Sequence, residues 1–282
     1  MNPFSVRGPI FKKTKESKKQ MRVLYIYLFP LWGNGSGNWL RRLTSSLKEN
    51  YPDFEAGIVA PEKRKLSYAK IYKLNPPHLG VFVGNPELPN AKKYAEFSNM
   101  DMIEIYSYYM TQCAKAIEDF KPDIIHVFHT AFLPALARPL SNLYKAPFIV
   151  TTHGSDLYYF KEDRRWFATA KSAFEKAKFI TANSNFTKAW FLDLFGHELT
   201  SKTRIIPAGV SNNLNFDRDV SWIDRKYGFK YPKMVLFTGR LTVHKGVEYL
   251  IKAAREINAE ILILGDGPER EFLKNLIKKH NL

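Results

Sequence analysis

Small and polar residues that could bind phosphate lie close together near the beginning of the chain. Gly33, Asn34, Gly35, Ser36 and Gly37 follow an apolar run and lead directly into a helical pattern. Backbone N–H groups at such a position stand at the positive end of a helix, where phosphate can bind. The spacing fits neither the dinucleotide-binding fingerprint nor the P-loop. A tight turn that requires small residues is the alternative.

A histidine and an aspartate follow a later apolar run. Residues 151–156 read Thr-Thr-His-Gly-Ser-Asp, which places His153 and Asp156 just beyond the end of a predicted strand. In open α/β sheets, ligands bind at this carboxyl edge. A structural role is the alternative for the histidine, but a position beside the glycine-rich segment favours a functional one. His126 and His129 flank another strand end, without metal-site spacing.

Two cations follow an apolar run in the last fifth of the chain. Gly239 and Arg240 come first and Lys245 follows five residues after Arg240, at a predicted strand-to-helix turn. Arginine can bind phosphate oxygens through two parallel N–H groups, and lysine supplies a mobile point charge. Gly265 and Gly267 follow the next apolar run. For each of these two segments, an ordinary solvated turn is the alternative.

Strands must position these segments, and short runs rich in β-branched and aromatic residues alternate with helical patterns from residue 21 onward. Such alternation is typical of βα units around a parallel sheet, and nearly continuous apolar runs suit strands that are covered on both faces. The predicted strands are 22–29, 55–59, 124–128, 148–152, 179–182, 203–206, 234–238 and 260–264. The predicted fold class is therefore α/β with a doubly wound parallel sheet.

Several stretches between the strands have helical periodicity. One predicted helix has a buried face formed by Trp39, Leu40, Leu43 and Leu47. A second predicted helix has a buried face formed by Ile103, Tyr106, Met110, Ala114 and Ile117. Ser184 is placed to cap a helix at 185–195 that Gly196 ends. Helices are also predicted at 247–257 and 268–279.

The chain divides into four parts on these patterns. Residues 1–20 are predicted to be a flexible basic arm, residues 21–210 a first domain, residues 211–233 a connection with a short helix, and residues 234–282 part of a second domain. Two βα units are fewer than a doubly wound domain usually has, so we expect the second domain to be incomplete. Within the first domain, residues 61–98 are interpreted as an excursion between strands.

Composition favours anionic partners. The 282 residues include 43 Lys and Arg against 27 Asp and Glu, a formal charge of +16. Nucleotide phosphates, nucleic acid and acidic membrane surfaces would all suit this charge. Cys113 is the single cysteine, which excludes a disulfide within the chain and fits a cytoplasmic setting. Nucleic acid is the weakest of these candidates, because no helix-turn-helix or interleaved aromatic pattern accompanies the basic residues.

The order and spacing of these segments resemble those of retaining GT-B glycosyltransferases of the family-4 type, from about residue 21 to residue 282. Five motifs, each modest alone, carry the resemblance. They are the glycine-rich first loop, the His-Gly-Ser-Asp segment, residues 206–210, the Gly-Arg-Leu…Lys-Gly turn and Gly-Asp-Gly-Pro-Glu at 265–269. The resemblance implies two Rossmann-like domains that face each other across a cleft. It also implies a nucleotide diphosphate sugar as donor and a glycan or lipid-linked acceptor.

The resemblance also implies roles for particular residues. Arg240 and Lys245 would bind the donor diphosphate and neutralise the charge that grows as it leaves, so that no metal ion or other cofactor is required. His153 and Asp156 would be the catalytic residues, with His153 contacting the transferred sugar. The glycine-rich positions Gly35, Ser36, Gly37, Gly239, Gly265 and Gly267 would complete the donor site.

The Glu-x7-Glu motif of the family has no counterpart at the expected place. Glu248 and Glu256 have the spacing but precede the Gly265 turn, so we interpret them as one solvated helix face. The main hypothesis is an active glycosyltransferase whose missing segment is supplied by another chain. Two alternatives to it stay open. One is a non-catalytic fragment that keeps part of the donor site. The other is a module that binds anionic ligands or docks peripherally on the inner face of the cell membrane.

Overall fold

The computed structural model describes residues 20–82, 88, 91–209, 219, 221–229, 231 and 233–282. The predicted basic arm, apart from residue 20, and much of the predicted connection lie outside these ranges. Within them, seven parallel strands form one large sheet in the order β3-β2-β1-β4-β5-β6-β7. They are β1 (Met21–Tyr27), β2 (Phe54–Ala60), β3 (Ala69–Lys73), β4 (Ile124–Phe128), β5 (Phe148–Thr152), β6 (Phe179–Ala182) and β7 (Thr203–Ile205).

The strand order reverses next to β1, and this feature decides where a ligand can bind. The chain moves outward from β1 to β3, returns to β4 on the other side of β1, and then continues to β7. The loops after β1 and β4 therefore leave in opposite directions and open a crevice at the carboxyl edge of the sheet. The predicted α/β class and doubly wound parallel sheet are confirmed.

Helices cover the large sheet. They are α1 (Gly35–Asn50), α2 (Asn99–Phe120), α3 (Leu133–Tyr144), α4 (Ser155–Glu162), α5 (Phe167–Lys176) and α6 (Asn185–Phe195). Central strand residues such as Leu24, Ile26, Ile125 and Val150 are fully buried, as expected for strands covered on both faces. Ser184 caps α6 by accepting a hydrogen bond from the Thr187 N–H, as predicted.

The predicted buried face of α2 is wrong by about one residue. The buried positions are Met102, Ile105, Tyr109, Cys113, Ala116, Ile117 and Phe120, whereas Ile103 is 55% exposed. Tyr106 is partly buried because its hydroxyl donates to the Ala135 carbonyl of α3 and its ring stacks on Trp166. Apolar residues of α2 thus flank the face that is buried. The sequence pattern alone did not distinguish the residues that pack against the sheet from those that pack against α3.

The excursion at 61–98 contains a strand that the sequence did not predict. β3 extends the sheet by pairing with β2 from Ala56↔Ala69 to Ala60↔Lys73. Its residues alternate Lys with Ile and Tyr and are only partly buried, as at a sheet edge. No helix in the described ranges is both long enough and apolar enough to cross a membrane.

A second, two-stranded parallel sheet follows the connection. β8 (Met234–Thr238) pairs with β9 (Glu260–Leu264), and both strands lie where the sequence predicted them. The helices are α7 (Ser221–Tyr227), which is the short helix predicted in the connection, α8 (Val247–Ala253) and α9 (Arg270–Lys279). Leu241, Val247, Ile251, Leu273 and Leu276 form a small separate core.

Candidate functional site

A cavity of about 590 Å³ lies where the carboxyl ends of both sheets meet. The loops after β1, β4, β5 and β6 line it, together with the turn after β8. The lining residues are Phe29, Asn34, Gly35, Ser36, Trp39, Val81, Phe82, His129, His153, Gly154, Ser155, Tyr158, Asn183, Trp190, Ala208, Arg240, Thr242 and Lys245. The cavity therefore brings together three segments that the sequence singled out separately.

Asn34 holds the glycine-rich loop in the shape that presents the α1 N-terminus to this cavity. Its side-chain Oδ1 accepts hydrogen bonds from the Gly37 N–H at 2.7 Å and from the Tyr27 hydroxyl at 2.6 Å. The Tyr27 hydroxyl also lies 2.8 Å from the Ser36 Oγ. This cap uses the Gly37 amide and leaves the first-turn amides of Gly35 and Ser36 without an intrahelical partner. An anion at this end would meet amide donors and the positive helix pole.

Two glycines of this loop have different physical reasons for being glycine. A Cβ on Gly37 would lie 2.5 Å from the Leu31 carbonyl oxygen, so the fold itself excludes a side chain there. A Cβ on Gly35 would meet nothing within 4 Å, and Gly35 lines the cavity whereas Gly37 does not. The fold therefore does not require glycine at position 35.

These surroundings predict opposite outcomes for two alanine variants. Gly35→Ala should keep or slightly raise stability, because alanine favours helix by up to about 1 kcal/mol, while it weakens binding of any ligand that approaches the α1 N-terminus. Gly37→Ala should cost about 1–3 kcal/mol through overpacking. Urea unfolding and calorimetric titration with UDP would measure both effects. A Gly35→Ala protein that binds UDP as the wild type does would contradict a ligand site at this loop.

A buried glutamate supports the same loop from the second strand. Glu62 is 4% exposed, and its carboxylate accepts from the N–H groups of Leu31, Lys63 and Arg64 at 2.8–2.9 Å. Three amide donors compensate the cost of burying this charge. The bond to Leu31 fixes the start of the glycine-rich loop against the end of β2. Sequence analysis missed Glu62, because nothing in its spacing marks a carboxylate that binds distant backbone.

Arg240 is the more buried of the two cations from the second sheet that line the cavity. Its guanidinium is half-buried, and this desolvation lowers the pKa of Arg240 from its ordinary value. Burial raises the pKa of the Tyr27 hydroxyl, and the nearby charge of Arg240 opposes that rise. Arg240 thus lies beside the α1 cap. Lys245 also lines the cavity and is exposed.

The charges around the cavity are of one sign. Among the described lining residues, Arg240 and Lys245 are cations and none is Asp or Glu. The N-termini of α1 and α4 add positive partial charge, because Gly35, Ser36, Gly154 and Ser155 all line the cavity. Two cations and two helix poles without a balancing carboxylate favour an anionic ligand.

The glycines of the second sheet pack its two turns together and do not line the cavity. A Cβ on Gly265 would lie 1.9 Å from the Gly239 carbonyl oxygen, and one on Gly267 would lie 2.4 Å from the Leu241 carbonyl oxygen. The Leu241 N–H donates to the Asp266 carbonyl at 2.9 Å. The turn after β9 therefore supports the turn that carries Arg240. Gly239, Gly265 and Gly267 are placed to position Arg240. That these glycines themselves contact the sugar donor stays a prediction.

Asp156 is buried beneath the cavity wall. Its side chain is fully inaccessible, and its carboxylate accepts from the Thr130 N–H at 2.8 Å, the His153 N–H at 2.9 Å and the Thr152 Oγ1 at 3.3 Å. It joins the loops after β4 and β5 and fixes the backbone of His153. Sequence analysis proposed Asp156 as a catalytic residue, whereas this geometry makes it a positioning residue.

Three histidines lie at or near the cavity, and His129 is the most buried of them. Burial lowers the pKa of His153 to about 4 and that of His126 to about 3, and it lowers the pKa of His129 well below its ordinary value. His126 has a partner, since its Nε2 lies 2.7 Å from the Thr151 Oγ1. His153 and His129 line the cavity, with ring centroids 4.6 Å apart.

These lowered pKa values predict a loss of stability in acid. Between about pH 6.5 and pH 4 the unfolded chain gains protons on these histidines while the folded chain does not, so stability falls as the pH falls. Each such histidine adds a slope of about 1.4 kcal/mol per pH unit within that window. Urea unfolding from pH 7 to pH 4.5 should show a shallower slope for His126→Phe. A slope for His126→Phe equal to that of the wild type would contradict the prediction.

Sequence analysis did not assign His129 to the site. The residue has a backbone φ of 117°, rare for a residue with a side chain, and it is 1% exposed. His129 follows β4, one of the two strands at which the strand order reverses. Ligands of open α/β sheets bind beside such a reversal, and this rule could have identified His129. Over the described ranges, no group of three or more His, Cys, Asp or Glu side chains is placed to hold a metal ion.

Comparison with known proteins gives two family matches. Residues 33–213 match the model described as Glycosyltransferase Family 4, and residues 221–282 match Glycosyl transferases group 1. An uncharacterized glycosyltransferase of Methanocaldococcus jannaschii is 25% identical over 215 residues, which cover 76% of this chain and 52% of that protein. The 2-deoxystreptamine N-acetyl-D-glucosaminyltransferase of Niallia circulans is 29% identical over 175 residues, covering 57% and 45%. The chain spans about half the length of these curated relatives.

Solved structures show the same fold. Sucrose-phosphate synthase from Thermosynechococcus elongatus has a TM-score of 0.69 at 16% identity, over 93% of this chain and 68% of that chain. HepE from Anabaena, solved in complex with UDP-glucose, has a TM-score of 0.62 at 16% identity, over 93% and 66%. The predicted GT-B-like architecture is therefore confirmed.

Proposed function

Because the chain belongs to Glycosyltransferase Family 4, we propose that it transfers a sugar from a nucleoside diphosphate sugar to an acceptor hydroxyl with retention of anomeric configuration. One observation carries the proposal. Arg240 and Lys245 from the second sheet line the same cavity as the α1 N-terminus at Gly35 and Ser36, and no described lining residue carries a negative charge. A diphosphate between two lobes would match this arrangement.

The cations provide the chemistry that sugar transfer needs most. Negative charge accumulates on the diphosphate as the bond to the sugar breaks, and preorganised donors in a partly buried site stabilise that charge. The half-buried Arg240 would bind the diphosphate oxygens, Lys245 would add a mobile charge, and the amides of Gly35 and Ser36 would donate from the first lobe. These groups would replace a metal ion, so we propose transfer that is independent of divalent cations.

His153 would contact the transferred sugar from the loop after β5. Its Nε2 is buried and has no hydrogen-bond partner among the described residues, although it lines the cavity. A neutral imidazole can donate through one nitrogen and accept through the other, which suits a sugar hydroxyl. Asp156 would hold the residue in place through its backbone N–H.

A donor-hydrolysis and transfer assay tests the proposal. UDP-glucose is the first donor, because HepE was solved with it, followed by GDP-glucose, with simple sugars and a lipid-linked sugar as acceptors. We expect UDP release that persists in EDTA, and NMR of the product should show the donor's anomeric configuration. Absence of both binding and turnover with every donor would overturn the proposal. Binding without turnover would support the non-catalytic alternative instead.

Docking on an anionic membrane is a second candidate, favoured by one basic surface. The guanidinium groups of Arg41 and Arg64 lie 4.2 Å and 4.7 Å from the ring centre of Trp32, in the loop after β1. Arginine stacked on a partly buried tryptophan is suited to a charged interface with an apolar component. Co-sedimentation with phosphatidylserine vesicles at low salt tests it, and no binding there would exclude it.

A further inference from the structure

His129 differs from His126 and His153 because both of its ring nitrogens lack a partner among the described residues. Neither Nδ1 nor Nε2 forms a hydrogen bond with any residue that the structure describes. The Asp156 carboxylate lies 3.9 Å from Nδ1, which is beyond hydrogen-bond distance. Leaving polar groups buried without a partner is costly, so two such atoms on one side chain point to a ligand.

The backbone at His129 is also unusual. A φ of 117° is unfavourable for any residue with a Cβ, and such conformations cluster at ligand sites. Contacts hold the ring: it stacks on Tyr27 with centroids 5.4 Å apart and meets Phe29 and Phe82 edge-on at 5.2 Å. Aromatic packing therefore orients the imidazole, while its two buried nitrogens have no partner among the described residues.

Tyr27 connects His129 to the proposed diphosphate site. The ring of Tyr27 stacks on His129, and its hydroxyl binds the cap of α1 and feels the charge of Arg240. One aromatic ring thus separates His129 from the diphosphate-binding groups. A sugar joined to that diphosphate would be within reach of His129, and the His153 ring lies beside the His129 ring, with centroids 4.6 Å apart.

We propose that His129 and His153 together form a two-imidazole subsite that binds the hydroxyl groups of the donor sugar. The inference rests on the proposed function, because the diphosphate-binding groups must first place the sugar there. His129 would be a direct sugar contact in addition to His153.

Calorimetric titration with UDP and with UDP-glucose separates the sugar contact from the diphosphate contact. His129→Phe keeps the aromatic packing and removes both nitrogens. We expect it to bind UDP like the wild type but to bind UDP-glucose about tenfold more weakly. His126→Phe is the matched control, because it removes a partly buried histidine that does not line the cavity, and it should bind both ligands like the wild type.

The wild-type protein gives a second measurement if His129→Phe fails to fold. NMR of the imidazole nitrogens should show the His129 signals shifting with UDP-glucose and much less with UDP. Unchanged UDP-glucose affinity in His129→Phe, or equal shifts with both ligands, would overturn the subsite while leaving the proposed function intact. A wild type that binds neither UDP nor UDP-glucose would overturn both.

Discussion

Replacing Arg240 by alanine should reduce affinity for UDP by about 10- to 100-fold and turnover by about 100- to 1000-fold. The first figure corresponds to the loss of charge-assisted hydrogen bonds worth about 1.5–3 kcal/mol, and the second to the loss of one preorganised donor at the developing charge. Stability should change little or rise, because Arg240 is half-buried and its pKa is lowered chiefly by desolvation. Calorimetric titration and the UDP-release assay measure the two effects.

Two variants make this test specific. Arg225→Ala removes an exposed arginine of α7 that does not line the cavity, and it should match the wild type in both assays. Arg240→Lys keeps the charge but not the planar geometry, so it should recover part of the affinity. If Arg240→Ala and Arg225→Ala lower UDP affinity equally, the effect would reflect net charge alone, and the assignment of Arg240 would be wrong.

Replacing Asp156 by alanine should destabilise the fold by about 2–5 kcal/mol. The variant would leave the N–H groups of Thr130 and His153 without their acceptor in a buried position, at about 1–3 kcal/mol for each. Turnover should fall as well, because the loops that carry His129 and His153 would lose their connection. Urea unfolding at pH 7 measures the stability, and the UDP-release assay measures the turnover.

An exposed aspartate provides the control for Asp156. Asp193 on α6 is 68% exposed and pairs with His197 at 3.2 Å, so Asp193→Ala should change stability by less than about 1 kcal/mol. Asp156→Asn keeps one acceptor oxygen and should lie between the wild type and Asp156→Ala. An Asp156→Ala protein of wild-type stability that has lost only turnover would restore the catalytic role predicted from the sequence.

Sequence patterns were sufficient for most of the fold. The nearly continuous apolar runs identified β4, β5, β6, β8 and β9 at the predicted residues, although β8 and β9 are only partly buried. β3 was missed because it is a half-exposed edge strand in which lysines alternate with apolar residues, and its signal comes from pairing with β2. The face of α2 was misplaced because this helix packs against both the sheet and α3. Both errors arise where tertiary contacts override a local pattern.

The same distinction applies to the candidate site. Segments with a local signature were found, and Gly35, His153, Arg240 and Lys245 all line one cavity. Local spacing did not predict which residues contact the cavity and which support it. Asp156 and Gly265 belong to the supporting group because of hydrogen bonds and close approaches made by residues distant in sequence.

His129 and Glu62 show what a sequence pattern cannot contain. His129 is notable only for two nitrogens that have no partner among the described residues and for an unusual φ, which are properties of the folded loop. Glu62 looks like a surface residue in a charged segment but is buried by three amide donors, one of them 31 residues away. The position of His129 depends on the reversal of strand order that brings the loops after β1 and β4 together, and that of Glu62 depends on the pairing of β2 with β1.

A crystal structure of the protein with UDP-glucose would test the central claim most directly. The account predicts the diphosphate between the Arg240 guanidinium and the amides of Gly35 and Ser36, with the glucose directed toward His153 and His129. A UDP-glucose molecule bound on any other surface, or one in this cavity whose diphosphate contacts neither Arg240 nor the α1 N-terminus, would contradict it.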